Sequence, residues 1–97
     1  MATFISLIDY TEQGIADIKD SPKRLDKARE AFSALGVTLD QVFLTMGAHD
    51  LVAVCQAPDA ETMARALLAL GSLGNVGTTT LTAFTEDEFR EIIATLP

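Results

Sequence analysis

Three side chains with the chemistry that catalysis or ligand binding needs lie close together in this sequence. His49 is the only histidine, Asp50 follows it directly, and Cys55 is the only cysteine. An imidazole titrates near neutral pH and can act as an acid, a base or a ligand. A neighbouring carboxylate can orient the ring, and a thiolate can act as a nucleophile. One histidine and one cysteine cannot supply a multi-histidine metal site within one chain, so we expect no metal and no cofactor.

Each of these residues also has a structural interpretation. His49 fits an exposed turn, and Asp50 fits a turn carboxylate that accepts hydrogen bonds from backbone N–H groups. Cys55 lies in a predicted strand, where a buried cysteine behaves as a small hydrophobe. The sequence contains no CxxC, HExxH, GxGxxG or P-loop motif. No catalytic residue is therefore assigned, and whether the chain is an enzyme stays open.

A β-hairpin is the element that must position His49 and Asp50. Two β-rich apolar runs, Val42–Met46 and Leu51–Ala57, flank the short segment Gly47-Ala48-His49-Asp50. A short Gly- and Asp-containing turn between such runs is a good hairpin signal.

The other elements follow from apolar spacing and from turn residues. We predict a strand over Thr3–Tyr10, a connection over Thr11–Asp20, and a helix that Ser21 caps, with Pro22 at its first position and Gly36 at its end. Pro58-Asp59 ends the third strand and caps a second helix, and a fourth strand covers Val76–Phe84. Thr85 and Glu88 form a capping box on a last helix, whose short apolar stripe is expected to dock on the body.

This order, β-α-β-β-α-β plus a short C-terminal helix, predicts a single α+β domain over residues 1–97. The pattern is ferredoxin-like, with an antiparallel sheet in the strand order 4-1-3-2 and both helices on one face. The first and third strands carry apolar residues on both sides. A second copy of the chain is expected to cover the face that the helices leave bare, giving a homodimer or a higher oligomer.

Charge and composition limit the partners. The formal net charge of −7 argues against nucleic-acid binding and against adhesion to anionic membranes. Five basic residues nevertheless lie between Lys19 and Arg29, as either a solvated helix face or a patch for an anion or a partner. A single cysteine and the lack of a long apolar run favour a cytoplasmic location.

Several blocks together resemble the GYD domain family over essentially the whole chain. They are Tyr10-Thr11-Glu12-Gln13-Gly14-Ile15, Ser21-Pro22, Gly47-Ala48-His49-Asp50-Leu51-Val52, Ala57-Pro58-Asp59, Leu73-Gly74-Asn75-Val76 and Ala83-Phe84. The resemblance implies a dimeric α/β-barrel type of protein, in which two ferredoxin-like sheets pack face to face. The sequence departs from the family at two places. Histidine replaces the tyrosine of the Gly-x-Tyr-Asp motif at position 49, and Gly77 and Thr82 stand where members often carry arginines.

Two functions are compatible with this resemblance. The first is a homo-oligomeric module that binds a small molecule or regulates other proteins. The alternative is a small cofactor-independent enzyme, monooxygenase-like or isomerase-like. In either case the predicted topology brings together, at one end of the sheet, the C-terminal end of strand one, the hairpin turn and the start of strand four. We expect a small polar site there, and its candidate residues are Tyr10, Thr11, His49, Asp50 and Asn75.

Overall fold

Four antiparallel strands form one sheet in the order β2-β3-β1-β4, in a computed structural model that describes residues Met1 to Pro97. Read in reverse, this is the predicted order 4-1-3-2. The strands are β1 (Ala2–Tyr10), β2 (Thr38–Leu44), β3 (Leu51–Ala57) and β4 (Val76–Ala83). The two most apolar strands, β1 and β3, lie in the centre, as the sequence predicts.

Four helices complete the fold. They are α1 (Glu12–Ala16), α2 (Ser21–Ala34), α3 (Ala60–Gly71) and α4 (Glu86–Ala94), and a 3₁₀ turn over Ile18–Asp20 joins the first two. Apart from α1, which lies in the predicted connection, the element order is the predicted β-α-β-β-α-β with a C-terminal helix. The ferredoxin-like α+β fold is therefore confirmed.

Two of the three predicted helix starts have the predicted caps. The Thr62 backbone N–H donates to Asp59 Oδ1 at 2.8 Å and so caps α3. At α4, Glu88 N–H donates to Thr85 Oγ1 and Thr85 N–H donates to Glu88 Oε1, which completes the capping box. The predicted N-cap of α2 was wrong, because the helix begins at Ser21 itself, and Asp20 precedes it without a side-chain cap.

The main core lies between α2, α3 and one face of the sheet. Alternate residues of β1, namely Phe4, Ser6 and Ile8, are buried on this face. They pair across the ladder with residues of β3 that include Cys55 and Ala53. Phe32 of α2 and Met63 of α3 close the cluster from the helix side. Because side chains alternate along a strand, the intervening residues must face the other way.

The opposite face of the sheet, here called the open face, carries an apolar patch that no helix covers. Ile5 pairs with Val54 and Leu7 pairs with Val52 in the two central strands, and all four side chains are only partly buried. Phe43 of β2 and Leu81 of β4, each about half exposed, extend the patch to the edge strands. The two-sided apolar character that the sequence predicted for β1 and β3 is therefore present.

Helix α4 does not dock on the body as expected. Its apolar residues Phe89, Ile92 and Ile93 are exposed by 43% to 56%, and Phe84 immediately before it is exposed as well. The molecule is correspondingly elongated, with extents of 52 × 31 × 17 Å. The sequence predicted the stripe correctly, but a stripe does not specify which surface covers it. None of the helices combines the length and the apolar character needed to cross a membrane.

Candidate functional site

The hairpin turn is fixed by its own hydrogen bonds and by bonds to β1. Thr45 Oγ1 donates to the carbonyl of His49 at 2.6 Å, which closes the turn. Asp50 N–H donates to the carbonyl of Ile8, and Tyr10 N–H donates to Asp50 Oδ2 at 2.9 Å. The carboxylate of Asp50 thus joins the hairpin to the end of β1. This is the bracing role that the sequence left open for Asp50, rather than contact with His49.

The partner of His49 is a residue that sequence reasoning missed. Its Nδ1 lies 3.1 Å from Oδ2 of Asp9, and the two side chains are 33% and 48% exposed. Asp9 has the same strand parity as Ile5 and Leu7, so this pair lies at the end of the open face. No local pattern marked Asp9, because a pair of this kind depends on where the hairpin meets β1.

On the other side of the same sheet end, the start of α1 packs tightly against the start of β4. Thr11 N–H donates to the carbonyl of Asn75 at 3.1 Å, and Thr11 Oγ1 donates to the carbonyl of Gly74 at 2.6 Å. The same hydroxyl accepts from Gly14 N–H and caps α1. Asn75 Oδ1 in turn accepts a long hydrogen bond from Gln13. Thr11 therefore braces the start of α1 against the start of β4, with its hydroxyl proton donated to Gly74.

Tyr10 joins this end of the sheet to α2. Its hydroxyl and that of Ser21 share a hydrogen bond of 2.7 Å. The Ser21 side chain is thus directed to Tyr10 instead of capping its own helix. Beside them, Arg24 donates to the carbonyls of Asp17 and Gly14 at 2.9 and 3.2 Å. These bonds attach the first turns of α2 to the connection between β1 and the helix.

A cavity of about 270 Å³ lies between α2, α3 and the sheet. Most of its lining is aliphatic or aromatic, from residues such as Phe32, Leu35 and Leu70. Tyr10 and Asn75 belong to the lining, together with Ser21, Arg24, Lys27, Thr78 and the thiol of Cys55. The walls of the cavity are mainly apolar. Its polar groups Tyr10, Ser21 and Arg24 lie near the end of β1.

The five predicted site residues therefore collect at one end of the sheet but in separate groups. Tyr10 and Asn75 line the cavity, His49 lies with Asp9 on the side of the open face, and Thr11 and Asp50 brace the backbone between them. Whether one ligand contacts both groups stays a prediction. Sequence reasoning missed Arg24 and Lys27 as lining residues, although it noted the basic cluster to which they belong.

Cys55 is buried in β3 with 1% of its surface exposed. Burial raises the pKa of the thiol to about 11, and the nearby Asp40 carboxylate acts in the same direction. At neutral pH the group is thus almost entirely the thiol, which is a poor nucleophile. This environment matches the structural interpretation of Cys55. No three His, Cys, Asp or Glu side chains lie close enough together to hold one metal ion.

Comparisons with known proteins agree with this fold and with the sequence blocks. A protein of Thermus thermophilus named glutamine synthetase and cystathionine beta-lyase binding protein is 37% identical over 84 residues, which cover 86% of this chain and 88% of the relative. The crystal structure of TTHA0845 from Thermus thermophilus is similar with a TM-score of 0.57 at 28% identity, over 88% of this chain and 95% of that one.

The structure of MtbAldR has a TM-score of 0.67 at 14% identity, covering 88% of this chain and 52% of that one, so this likeness shows the fold alone. The model of the GYD domain matches residues 4–93, nearly the whole length of the sequence. This chain therefore belongs to the GYD domain family.

Proposed function

We propose that this chain is a single-domain, homo-oligomeric binding module that holds a small molecule in the cavity between the helices and the sheet. The observation that carries the proposal is the lining itself, which is mainly apolar and contains no histidine and no carboxylate. Such a lining lacks the convergent acid–base pair that would favour catalysis. Protein interiors rarely hold voids much larger than a water molecule, so a cavity of 270 Å³ is a natural place for a ligand.

Native mass spectrometry of the purified protein tests this proposal directly. We expect a bound small molecule that gentle activation releases from the folded protein. Ala28, which lines the cavity from α2, provides the matching variant. Ala28→Leu should fill part of the space and lower the retained fraction, whereas Ala64→Leu on the exposed side of α3 should leave it unchanged. Equal retention by both variants would contradict a ligand in this cavity.

Self-association through the open face is the second part of the proposal. What supports it is the patch of Ile5, Leu7, Val52 and Val54, flanked by Phe43 and Leu81. Burial of apolar surface stabilises an assembly by about 25 cal/mol per Å², before the cost of association is subtracted. Because the helices already cover the other face, a second copy can cover this patch without disturbing the core.

Light scattering at micromolar concentration tests the assembly. We expect a dimer or a higher oligomer for the unmodified chain. Leu7→Glu places a charge in the centre of the open face and should shift the protein to a monomer. Leu68→Glu is the matched control, because Leu68 is 75% exposed on α3 and lies away from that face. Loss of assembly in both variants, or in neither, would argue against the open face as the interface.

A regulatory role through contact with another protein is also proposed, and the name of the Thermus relative supports it. The exposed apolar stripe of α4 offers a surface for such a contact. The test is sedimentation of this chain mixed with purified glutamine synthetase from the organism that encodes the chain. Co-sedimentation that is lost with Ile92→Asp supports the role, and separate boundaries for the two proteins count against it. A cytoplasmic location belongs to the same proposal.

The alternative function, a small cofactor-independent enzyme, is supported by one observation. His49 and Asp9 form an imidazole–carboxylate pair at 3.1 Å, and such a pair can act as a general base. A common site with Tyr10, Thr11, Asp50 and Asn75 would place this base next to a ligand. If the native ligand is turned over, His49→Ala should abolish turnover and leave ligand binding intact. Unchanged turnover in that variant would remove the His49–Asp9 pair as a catalytic base.

A further inference from the structure

We infer that the cavity takes a monocarboxylate with an apolar body, whose carboxylate lies beside Arg24 and Lys27. This inference rests on the proposed small-molecule-binding function and adds the charge and shape of the ligand. It is carried by the distribution of charge around the cavity, by the hydrogen-bonding groups at one end, and by the size of the apolar part.

The charge at the cavity is opposite to that of the protein. The chain has 14 acidic and seven basic residues, yet the lining contains two cations and no carboxylate. Both cations lie on the same side of the cavity, since Arg24 and Lys27 are three residues apart on α2 and so neighbour each other on the helix surface. A carboxylate placed there meets two positive charges and no lining anion.

Neither cation forms an ion pair within the chain. The three ion pairs of the protein join His49 to Asp9, Arg65 to Glu61 and Arg90 to Glu86, so none involves α2. Arg24 donates to two neutral backbone carbonyls, which position its guanidinium without cancelling its charge. The ammonium group of Lys27 has no carboxylate within 4.0 Å. An anionic ligand would supply the missing counter-charge.

Two hydroxyl groups, those of Ser21 and Tyr10, lie at the end of the cavity where Arg24 is found. Ser21 precedes Arg24 by one helical turn and shares its hydrogen bond with the Tyr10 hydroxyl, so these groups occupy the same end of the cavity. A hydroxyl of this pair can donate a second hydrogen bond to a ligand oxygen, since either atom can serve as donor. Hydrogen bonds from such groups to a carboxylate are stronger than those to a neutral oxygen.

The rest of the lining is mainly apolar and suits an apolar body. Phe32, Leu35 and Leu70 contribute to a wall without charged groups. A cavity of about 150 Å³ with such walls holds one benzene ring, and the volume of 270 Å³ here leaves room for a larger group. An aliphatic chain of medium length or a substituted aromatic ring fits this space. A small polar anion would leave the apolar wall uncovered.

Three probes with the same tail and different head groups test the inference by isothermal titration calorimetry at neutral pH. They are decanoate, decanol and decylamine, each used below the concentration at which it aggregates. We expect decanoate to bind one per chain and about tenfold more tightly than decanol, because the two cations act only on the charged head. Decylamine should bind more weakly than decanol. Butanoate, which has the same head group and a short tail, should bind more weakly than decanoate.

A pair of lysine variants then locates the head group. Lys27→Gln removes one lining charge, and Lys23→Gln removes the same charge one turn earlier on α2, outside the lining. We expect Lys27→Gln to weaken decanoate binding by about threefold, as for one exposed charge, and to leave decanol binding unchanged. Lys23→Gln should leave both unchanged. Arg24 is not varied, because it also attaches α2 to the preceding connection.

The outcomes separate this inference from the proposal on which it rests. Preference for decanoate that falls with Lys27→Gln alone supports a carboxylate at this position. Equal binding of the three head groups, or equal losses with both lysine variants, overturns the inference but leaves an apolar binding cavity. Failure of all the probes also overturns the inference. The retained molecule in native mass spectrometry decides separately whether the cavity binds a ligand at all.

Discussion

Replacement of Gly14 by alanine should destabilise the end of the sheet that holds Tyr10 and Asn75. A Cβ atom at this position would overlap the carbonyl oxygen of Asn75 and lie 3.2 Å from Cδ1 of Tyr10. The obstructing oxygen belongs to the backbone, so it cannot rotate away as a flexible side chain does. The start of α1 and the start of β4 must therefore separate.

The cost follows from the contacts that this separation breaks. Thr11 donates to the Asn75 and Gly74 carbonyls at 3.1 and 2.6 Å, and each such bond contributes about 1 kcal/mol to stability. Crowding in a packed region costs roughly 1–3 kcal/mol more. The preference of a helix for alanine over glycine offsets about 1 kcal/mol. We therefore expect Gly14→Ala to lower the free energy of unfolding by about 2–4 kcal/mol.

Urea denaturation followed by circular dichroism measures this change in the free energy of unfolding. In thermal denaturation, Tm should fall by roughly 4–8 °C for each kcal/mol. Gly71→Ala is the matched control, because Gly71 also lies in a helix and an added Cβ meets no atom within 4 Å there. That variant should be neutral or slightly more stable. If Gly14→Ala proves as stable as Gly71→Ala, the close packing of α1 against β4 is refuted.

Three further predictions concern the thiol, the last helix and the cavity. Because burial raises the pKa of Cys55 to about 11, alkylation at pH 8 should be at least about 100-fold slower in the folded protein than in denaturant, and similar rates would contradict this burial. Hydrogen bonds from Thr85 lower the pKa of Glu88, so its contribution to α4 is present above the ordinary pKa of the carboxyl and lost as the pH falls through the lowered value. The Thr85 amide resonance should shift over that range in the parent and not in Glu88→Gln, and a pH-independent amide would argue against the capping box. Ala28→Leu should raise the free energy of unfolding by about 2 kcal/mol, at about 0.8 kcal/mol per buried carbon, and a lower stability would show that the cavity cannot take the added atoms.

Local patterns were sufficient to predict the fold. The alternation along β1, the hairpin around Gly47 and the capping box at Thr85 each depend on residues close together in sequence. Ser21 shows where such reasoning stops. Its position before Pro22 favours an N-cap, but the hydroxyl of Tyr10 arrives from another element and takes its hydrogen bond.

The candidate site was less predictable, because its contacts join distant parts of the chain. Topology placed Tyr10 and Asn75 at the same sheet end, and both line the cavity. The pairing of His49 with Asp9 depends on the register in which the hairpin pairs with β1, and no local sequence spacing encodes that register. The basic cluster gave a usable signal for Lys27. Its helix face, however, could be identified only once α2 was oriented on the sheet.

Neighbouring residues of strand β1 face the cavity and the open face in turn. Ser6 and Ile8 line the cavity on one side, and Leu7 between them faces the patch on the other. The two proposed contacts, with a ligand and with a second copy, therefore share a single backbone while using opposite surfaces. A ligand that displaces Ile8 also moves the peptide units that carry Leu7. Reciprocity then requires that any ligand-driven change in subunit affinity be matched by an equal change in ligand affinity on assembly. A ligand affinity that depends on protein concentration would indicate that β1 couples ligand binding to assembly.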